Sequence, residues 1–442
     1  MTLRTRKILF YLVTVFFFVI AISAIFYSNG WRFDPETFSI SKLGGIYFEK
    51  VPDDSVLTVE KADIEFNPNF LRSSLLVPNL FPKNYYARAS RENYQPWTKE
   101  ITVRPSLVTE IQPIILLPKK AILGNSLAKN IADFWQKSGK IITATKSGEL
   151  FFGQNRISGT ELVSWSGDAD AVLTKNSGNF YLIYLDNPKS ALNISLMFSN
   201  ARKVKASLKE RSPVKDISFG PENDGLVIIR TDGGLYSLDS GSSGLAVISP
   251  KPTLSYTQNS SEILFTNETG LFSYSSGRTA TLTPSLPMKD PDEIIFNDAE
   301  TYFMLKNSVG ELLLVERNTM EAKLLAKNAR TAFFASGHLK LAFTTFNNEL
   351  VIYTFGKKYQ ISDKPKTEIL RMSIADESSL AWHKDAAHIF MQYPNTAYLL
   401  EANDIPPINL QTIETGVDKF QYDRENEELY ILKKSNLYKI TL

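Results

Sequence analysis

The chain has 442 residues, too many for one ordinary hydrophobic core, so several domains or one large repeat array are expected. Its 49 basic and 47 acidic residues nearly balance, which leaves none of the basic excess that drives nucleic-acid binding. It contains no cysteine, which excludes disulfides, thiolate nucleophiles, iron–sulfur clusters and cysteine-ligated zinc.

The N-terminal segment is predicted to be a single transmembrane helix. Residues 8–27 (ILFYLVTVFFFVIAISAIFY) carry no charged side chain, and a helix of about 20 residues spans the hydrocarbon core of a bilayer, about 30 Å. The first acidic residue is Asp34, and three basic residues precede the segment: Arg4, Arg6 and Lys7. The positive-inside rule therefore predicts that residues 1–7 are cytoplasmic and that the chain after residue 27 is extracytoplasmic, anchored to the cytoplasmic membrane.

Two other interpretations of this segment stay open. One is a cleaved signal peptide, because residues 21–23 (AIS) loosely resemble a small-residue cleavage site, although the apolar stretch exceeds a usual signal core. The other is a buried helix of a soluble protein, but no polar face interrupts the run. We favour a signal anchor with Tyr27 and Trp31 at the outer interface, followed by a juxtamembrane linker over residues 28–41.

Residues 42–118 are predicted to form a small β-sandwich, because short apolar stretches alternate there with Pro and Asn. Four stretches stand out: 45–48 (GIYF), 51–55 (VPDDS), 80–86 (LFPKNYY) and 93–97 (NYQPW). Together they resemble the PEGA domain of bacterial envelope proteins. Lys83 and Asn93 depart from that family, which usually has glycine at both positions.

The PEGA resemblance implies a non-catalytic spacer or adhesion module near the membrane. Tyr94 and Trp97 are expected to be core and edge aromatics that stabilise the sandwich. Stacking of these rings on a carbohydrate is the alternative.

The region from residue 119 to residue 442 repeats a two-part pattern. An aromatic residue closes a short apolar strand at Trp135, Trp165, Phe219, Tyr256, Phe296, Phe334, Trp382 and Tyr422. A second apolar run begins 15 or 16 residues later, at Leu150, Phe180, Leu235, Leu271, Leu312, Leu350, Ala397 and Leu437. Trp135 and Tyr422 are 287 residues apart over seven intervals, a mean spacing of 41 residues.

This period predicts a β-propeller. Four short antiparallel strands about every 40 residues are typical of a propeller blade, and blades bury their faces by packing around an axis. Residues 163–168 (VSWSGD) and 217–221 (ISFGP) resemble the WD-like repeat of TolB-type periplasmic propellers. We therefore predict an all-β protein with an eight-bladed propeller over residues 119–442. Seven blades are the alternative, and a stack of immunoglobulin-like domains is disfavoured because its period would be nearer 90 residues.

The ring is predicted to close by pairing the two ends of the repeat. The last copy leaves only twenty residues after Tyr422, enough for three strands. Residues 120–126 are expected to supply the missing strand and so to remove an exposed sheet edge.

Motifs for catalysis are absent from the sequence: it has no G-x-S-x-G elbow, P-loop, H-E-x-x-H or G-x-G-x-x-G. His383 and His388 are expected on either side of a turn in the seventh unit, with no third metal ligand apparent nearby. Residues 290–292 (DPD) are expected to begin a blade with a solvated turn rather than to bind calcium. We therefore predict no catalytic residue, no metal and no cofactor.

One set of residues is a candidate binding site. The turn between the second and third strands carries a basic residue in five of the eight units, and repeat geometry would place these turns on one face. We call the five residues the cationic collar: Lys146, Lys175, Arg230, Lys306 and Lys434. A ring of these charges would favour an anionic envelope polymer, whereas ordinary solvated turn charges are the alternative.

The function predicted from the sequence is that of a membrane-anchored, non-enzymatic binding or scaffold protein of the bacterial cell envelope. Its partner would be an envelope protein or an anionic cell-wall polysaccharide, and nucleic acid is not expected. The alternative is an envelope enzyme, a hydrolase, lyase or quinoprotein-like oxidoreductase, with its site at the propeller mouth. Fold cannot choose between them, because propellers host all of these activities.

Overall fold

The structure is a computed structural model that describes residues 3–69, 71–204, 212–221, 223–297, 300–335, 337, 340–354, 367–370, 380–403 and 405–441. Across these ranges the chain is all-β except for two helices. It divides into two compact units. The N-terminal unit comprises Met1–Ala121 with Leu400–Ile413, and the C-terminal unit comprises Ile122–Leu399 with Glu414–Leu442.

Helix α1 spans Leu3–Ser28, and none of its side chains is buried. Its 26 residues measure about 39 Å, so it is long and apolar enough to cross a membrane. The predicted apolar helix is thus present. The region predicted as a linker contains an antiparallel hairpin, β1 (Trp31–Asp34) and β2 (Ser39–Lys42).

Two further sheets make up most of the N-terminal unit. Their strands are β3 (Gly44–Phe48), β4 (Val56–Val59), β5 (Ile64–Phe66), β6 (Leu75–Leu80), β7 (Asn84–Ser90), β8 (Trp97–Thr102) and β9 (Val108–Ile111). The strand orders are β6-β3-β9, with β3 and β9 parallel, and β5-β4-β7-β8. Gly44 is required at the start of β3, because a Cβ there would lie 2.3 Å from the carbonyl oxygen of Arg104.

The two sheets share one hydrophobic core. Alternation along β7 buries Tyr85, Ala87 and Ala89, and the same core includes Phe48 from the other sheet. Trp97 is buried there with its ring 6.5 Å from that of Phe48. The predicted roles are thus exchanged, because Trp97 lies in the core and Tyr94 is only partly buried against it.

A fully buried ion pair also belongs to the N-terminal unit. The side chains of Lys99 and Glu401 are 0% and 1% exposed, and Nζ lies 2.9 Å from Oε2. Nζ also donates to Asn403 Oδ1 at 2.9 Å and to the carbonyl oxygens of Ile405 and Pro407 at 2.5 and 3.0 Å. The ammonium group is thus surrounded by oxygen atoms of these four residues, as burial of a charge requires.

The remaining strands begin with β10 (Ala128–Lys129) and form successive four-stranded antiparallel sheets. The first sheet consists of β11 (Ile131–Lys137), β12 (Lys140–Thr145), β13 (Leu150–Phe152) and β14 (Asn155–Ile157), and the second of β15 (Glu161–Trp165), β16 (Ala171–Asn176), β17 (Asn179–Tyr184) and β18 (Ala191–Asn193). The third consists of β19 (Val214–Gly220), β20 (Asn223–Thr231), β21 (Gly234–Asp239) and β22 (Leu245–Ser249), and the fourth of β23 (Ser255–Gln258), β24 (Ile263–Asn267), β25 (Gly270–Ser275) and β26 (Arg278–Thr283). Helix α2 (Ile194–Val204) separates β18 from β19.

Four more sheets follow in the part of the chain that the structure describes. The fifth sheet consists of β27 (Pro291–Phe296), β28 (Tyr302–Asn307), β29 (Leu312–Glu316) and β30 (Ala322–Ala326), and the sixth of β31 (Ala329–Phe334), β32 (Lys340–Thr345), β33 (Leu350–Thr354) and β34 (Thr367–Leu370). The seventh consists of β35 (Leu380–Trp382), β36 (His388–Gln392), β37 (Thr396–Glu401) and β38 (Leu410–Thr415). The last sheet consists of β39 (Lys419–Asp423), β40 (Glu428–Lys433), β41 (Asn436–Thr441) and the earlier strand β10.

The predicted repeat coincides with these sheets. Every residue of the aromatic series lies on the first strand of a sheet, and every residue of the apolar series lies on a third strand. A third strand such as β29 is buried on both faces, because Leu312 to Val315 are all buried. This accounts for its continuous apolar run, since both of its faces are covered.

The first and last sheets of the repeat meet. β10 pairs antiparallel with β41, with Ala128 opposite Leu437, and the N–H of Leu127 donates to the carbonyl of Leu437 at 2.8 Å. Pairing of the two chain ends is thus present, but residues 128–129 form the strand and not the predicted residues 120–126. Ala128 packs against the apolar cluster that contains Leu437, which gives this segment its register.

Successive sheets are in contact around the C-terminal unit. Apolar clusters join neighbouring sheets. The ring centres of Phe333 on β31 and Trp382 on β35 are 6.2 Å apart, and those of Phe390 on β36 and Tyr422 on β39 are 4.5 Å apart. Between the last sheet and the first, Lys419 Nζ lies 2.6 Å from Asp133 Oδ1. The fold of this unit is therefore propeller-like.

Candidate functional site

The residues of the cationic collar all lie near the ends of second strands, but only two of the five lie in turns as predicted. Lys175, Arg230 and Lys306 lie in the last residues of the second strands β16, β20 and β28. Lys146 and Lys434 lie in the turns directly after the second strands β12 and β40, and both are exposed. That the five form a ring that binds a ligand stays a prediction.

Two collar residues form ion pairs with acidic residues of the first strands. Arg230 forms charge-assisted hydrogen bonds with Asp216, its register partner on β19, and also donates to the carbonyl of Leu254. Lys306 Nζ lies 3.2 Å from Oε2 of Glu293, its register partner on β27. This edge therefore carries both signs of charge, with acids on the first strands and bases on the second.

Sequence reasoning missed these acidic partners. Asp216 precedes Arg230 by 14 residues, and Glu161 precedes its register partner Lys175 by the same interval. An acid 13 or 14 residues before Lys175, Arg230 and Lys306 was the available signal. Lys175 itself lies with Nζ 5.5 Å from the ring centre of Phe180.

A polar cleft of about 320 Å³ opens beside Arg230 among the first strands β19, β23 and β27. Asp216, Ser218, Tyr256 and Gln258 line it with Arg230. Burial raises the pKa of Tyr256, and the charge of Asp216 acts in the same direction, so the phenol stays neutral. The cleft thus presents neutral hydrogen-bonding groups next to a guanidinium–carboxylate pair.

A second cleft of about 320 Å³ lies among the first strands β11, β15, β35 and β39. Trp135, Trp165 and Tyr422 form aromatic walls, and Gln136 and Gln421 add amide groups. Both tryptophans and Tyr422 are half-buried, and one face of the Tyr422 ring stacks on His383. Aromatic faces beside amide groups suit a ligand with apolar ring faces and polar edges, such as a sugar.

The two histidines that the sequence singled out lie on either side of the turn between β35 and β36, as predicted. Sequence reasoning missed Asp385, which lies in the same turn and contacts both imidazoles.

No family model matches this chain, and no curated protein matches it. Among solved structures, it is similar to the β-propeller domain of Cps50 (Swd1) from Myceliophteria thermophila, at 10% identity and a TM-score of 0.42, covering 73% of this chain and 100% of that chain. Kluyveromyces lactis Hsv2 is 9% identical with a TM-score of 0.45, covering 65% and 98%. The computationally designed Ika8 protein is 10% identical with a TM-score of 0.47, covering 73% and 99%. Likeness at this level supports no functional conclusion.

Proposed function

We propose that this chain is a membrane-anchored binding protein of the bacterial cell envelope that recognises an anionic polysaccharide. Its C-terminal unit is an eight-bladed propeller, which the eight successive four-stranded sheets support. Its N-terminal unit is a PEGA-like sandwich that serves as a spacer, which the two sheets with a common core support. Helix α1 is the anchor.

The observation that carries the proposal is the aromatic cleft among the first strands. Trp135, Trp165 and Tyr422 offer half-buried ring faces, and a sugar ring presents apolar C–H faces that stack on such rings. Gln136 and Gln421 supply donors and acceptors for hydroxyl groups. Catalysis is not needed to account for this arrangement.

The cationic collar lies at the opposite end of the strands from this cleft and supplies a long-range preference for acidic polymers. Lys146 and Lys434 are exposed, so they contribute most of the attraction at long range. Arg230 and Lys306 are already paired with carboxylates, so they contribute less net field.

The proposal is tested with the full-length protein in detergent, an acidic polysaccharide and a neutral one. Changing all five collar residues to Gln should weaken binding of the acidic polymer to about the level of the neutral one. Binding by the unchanged protein should weaken as salt rises, because exposed charges are screened over about 10 Å at 0.1 M. Changing Trp135 and Trp165 to Ala should weaken binding of either polymer, since stacking does not depend on charge.

A matched control removes the same charge elsewhere, through Lys61, Lys119, Lys120, Lys189 and Arg278 changed to Gln. These residues are exposed and lie outside the ends of the second strands. Equal losses in the two variants would contradict the collar. Capture of a protein without any polymer bound would favour a scaffold, and shortening of the polymer would favour the enzyme alternative.

A further inference from the structure

The turn between β35 and β36 has the same backbone as the turn between β15 and β16. The N–H of His383 donates to the carbonyl of His388 at 2.9 Å, and that of Ala386 donates to His383 at 3.0 Å. In the other turn, Ser166 bonds to Ala171 at 2.9 Å and Ala169 to Ser166 at 3.2 Å. His383, Asp385 and His388 thus correspond to Ser166, Asp168 and Ala171. The backbone of such a turn therefore forms without imidazoles.

Asp385 lies between the two histidines. Its Oδ2 is 2.7 Å from Nδ1 of His388, and its Oδ1 is 3.0 Å from Nδ1 of His383. One donor atom from each of the three residues lies within 4.8 Å of the others.

Nδ1 of His383 has two neighbours on Asp385. It lies 3.3 Å from the backbone nitrogen and 3.0 Å from the carboxylate Oδ1. The separation of Nδ1 from Oδ1 is close to that of two ligands of one metal ion.

The surroundings allow an ion to enter but hold it away from bulk water. The side chains of His383 and Asp385 are 14% and 16% exposed, whereas His388 is 3% exposed. Tyr422 stacks on His383, with ring centres 5.6 Å apart. Burial raises the pKa of Tyr422 to about 12, so this wall of the group is neutral.

We propose that His383, Asp385 and His388 bind one divalent transition-metal ion of the zinc class. Two imidazoles with one carboxylate suit zinc, nickel or copper better than calcium or magnesium, which prefer oxygen ligands. Tetrahedral zinc with bonds of about 2.0–2.2 Å needs donor atoms roughly 3.4 Å apart, so side-chain shifts of about 1 Å complete the site. Three protein ligands leave a fourth position for water or a ligand.

The test uses the full-length protein in detergent, produced without a polyhistidine tag and stripped of metal with a chelator. Zn²⁺ is titrated in competition with a chromophoric chelator, and about one equivalent should bind. Bound Zn²⁺ should also raise the midpoint of thermal unfolding, because the ion binds the folded state preferentially. Co²⁺ in place of Zn²⁺ should develop the visible absorption of a histidine-ligated tetrahedral site.

The matched variant changes His383 to Ser and His388 to Ala, which reproduces the Ser166 turn. Its affinity for Zn²⁺ should fall by more than about 100-fold, since loss of a supporting group alone costs 10- to 100-fold. If the double variant does not fold, His383→Gln tests the site instead, because it removes one ligand at a partly exposed position and should also lower the affinity for Zn²⁺. Asp168→Asn is the control, because it removes the corresponding carboxylate from the turn that has no imidazole. This variant should bind Zn²⁺ with the affinity of the unchanged protein.

Failure of the unchanged protein to bind Zn²⁺ overturns the site, as does unchanged affinity in His383→Gln. The site stands apart from the proposed polysaccharide function, because Zn²⁺ binding is measured without any polymer.

Discussion

Lys99 stabilises the N-terminal unit through a charge in its core. The alternation of β8 points Trp97, Lys99 and Ile101 to the same buried side. Glu401 accepts from the indole N–H of Trp97 at 3.2 Å and from Asn409 at 2.7 Å, so its carboxylate is satisfied as well. Removal of either charge would leave the other buried without its partner.

We expect Lys99→Met to destabilise the N-terminal unit by roughly 3–5 kcal/mol, the usual cost of breaking a buried ion pair. Hydrogen exchange of peptides covering β7 and β8 would measure this loss locally. Lys83→Met is the control, because the ion pair of Lys83 with Glu36 is exposed and worth at most about 1 kcal/mol. Adding Glu401→Gln to Lys99→Met should recover part of the stability, and equal exchange in both lysine variants would contradict the assignment.

At the scale of elements, closure of the C-terminal unit depends on a very short strand. β10 has two residues, which pair with Asn436 and Leu437 at the edge of β41 and so join the two ends of the repeat. An uncovered edge would expose unpaired backbone groups.

Leu127→Pro should lower the stability of the C-terminal unit by roughly 1–3 kcal/mol, because it removes the N–H that donates to Leu437 and constrains the strand. Ile122→Pro, in the segment first expected to form the strand, should have little effect, since Ile122 is 83% exposed. Thermal unfolding of the two variants compares the predicted and observed closures. A larger loss in Ile122→Pro would refute the observed pairing.

Helix α2 was not predicted from the sequence, although local signals for it exist. Asn193 accepts the N–H of Leu196 at 2.9 Å, as an N-cap does. Ile194 and Phe198, four residues apart, are the buried residues of its inner face. The prediction followed the strand pattern of the surrounding repeat and therefore missed this short helical pattern.

At the scale of the whole molecule, the orientation predicted from the basic N-terminus can be tested directly. Protease added to intact spheroplasts should remove the bulk of the chain after residue 27 while a membrane-bound fragment of α1 remains. Immunoblotting against tags at the two ends would follow both fragments, and a cytoplasmic protein provides the control for intact membranes. A fully protected chain would contradict the orientation, and a soluble shed form would favour a cleaved signal peptide.

The sequence by itself determined the apolar helix, the all-β class and the repeating sheets. These features depend on local periodicity: strands alternate every two residues and the sheets recur about every 41, so neighbouring residues carry the information. The aromatic and apolar series marked the first and third strands correctly because every residue of the apolar series is buried and every residue of the aromatic series is at least half-buried.

Only the tertiary structure decided which distant residues meet. Ala128 pairs with Leu437, Lys99 pairs with Glu401 and Lys419 pairs with Asp133, and about 300 residues separate the members of each pair. Such pairs cannot be predicted from a periodic sequence pattern, because which residues meet depends on the register and packing of the complete fold. The turn that brings His383, Asp385 and His388 together was within reach of the sequence, but its chemistry became visible only when the side chains were placed in space.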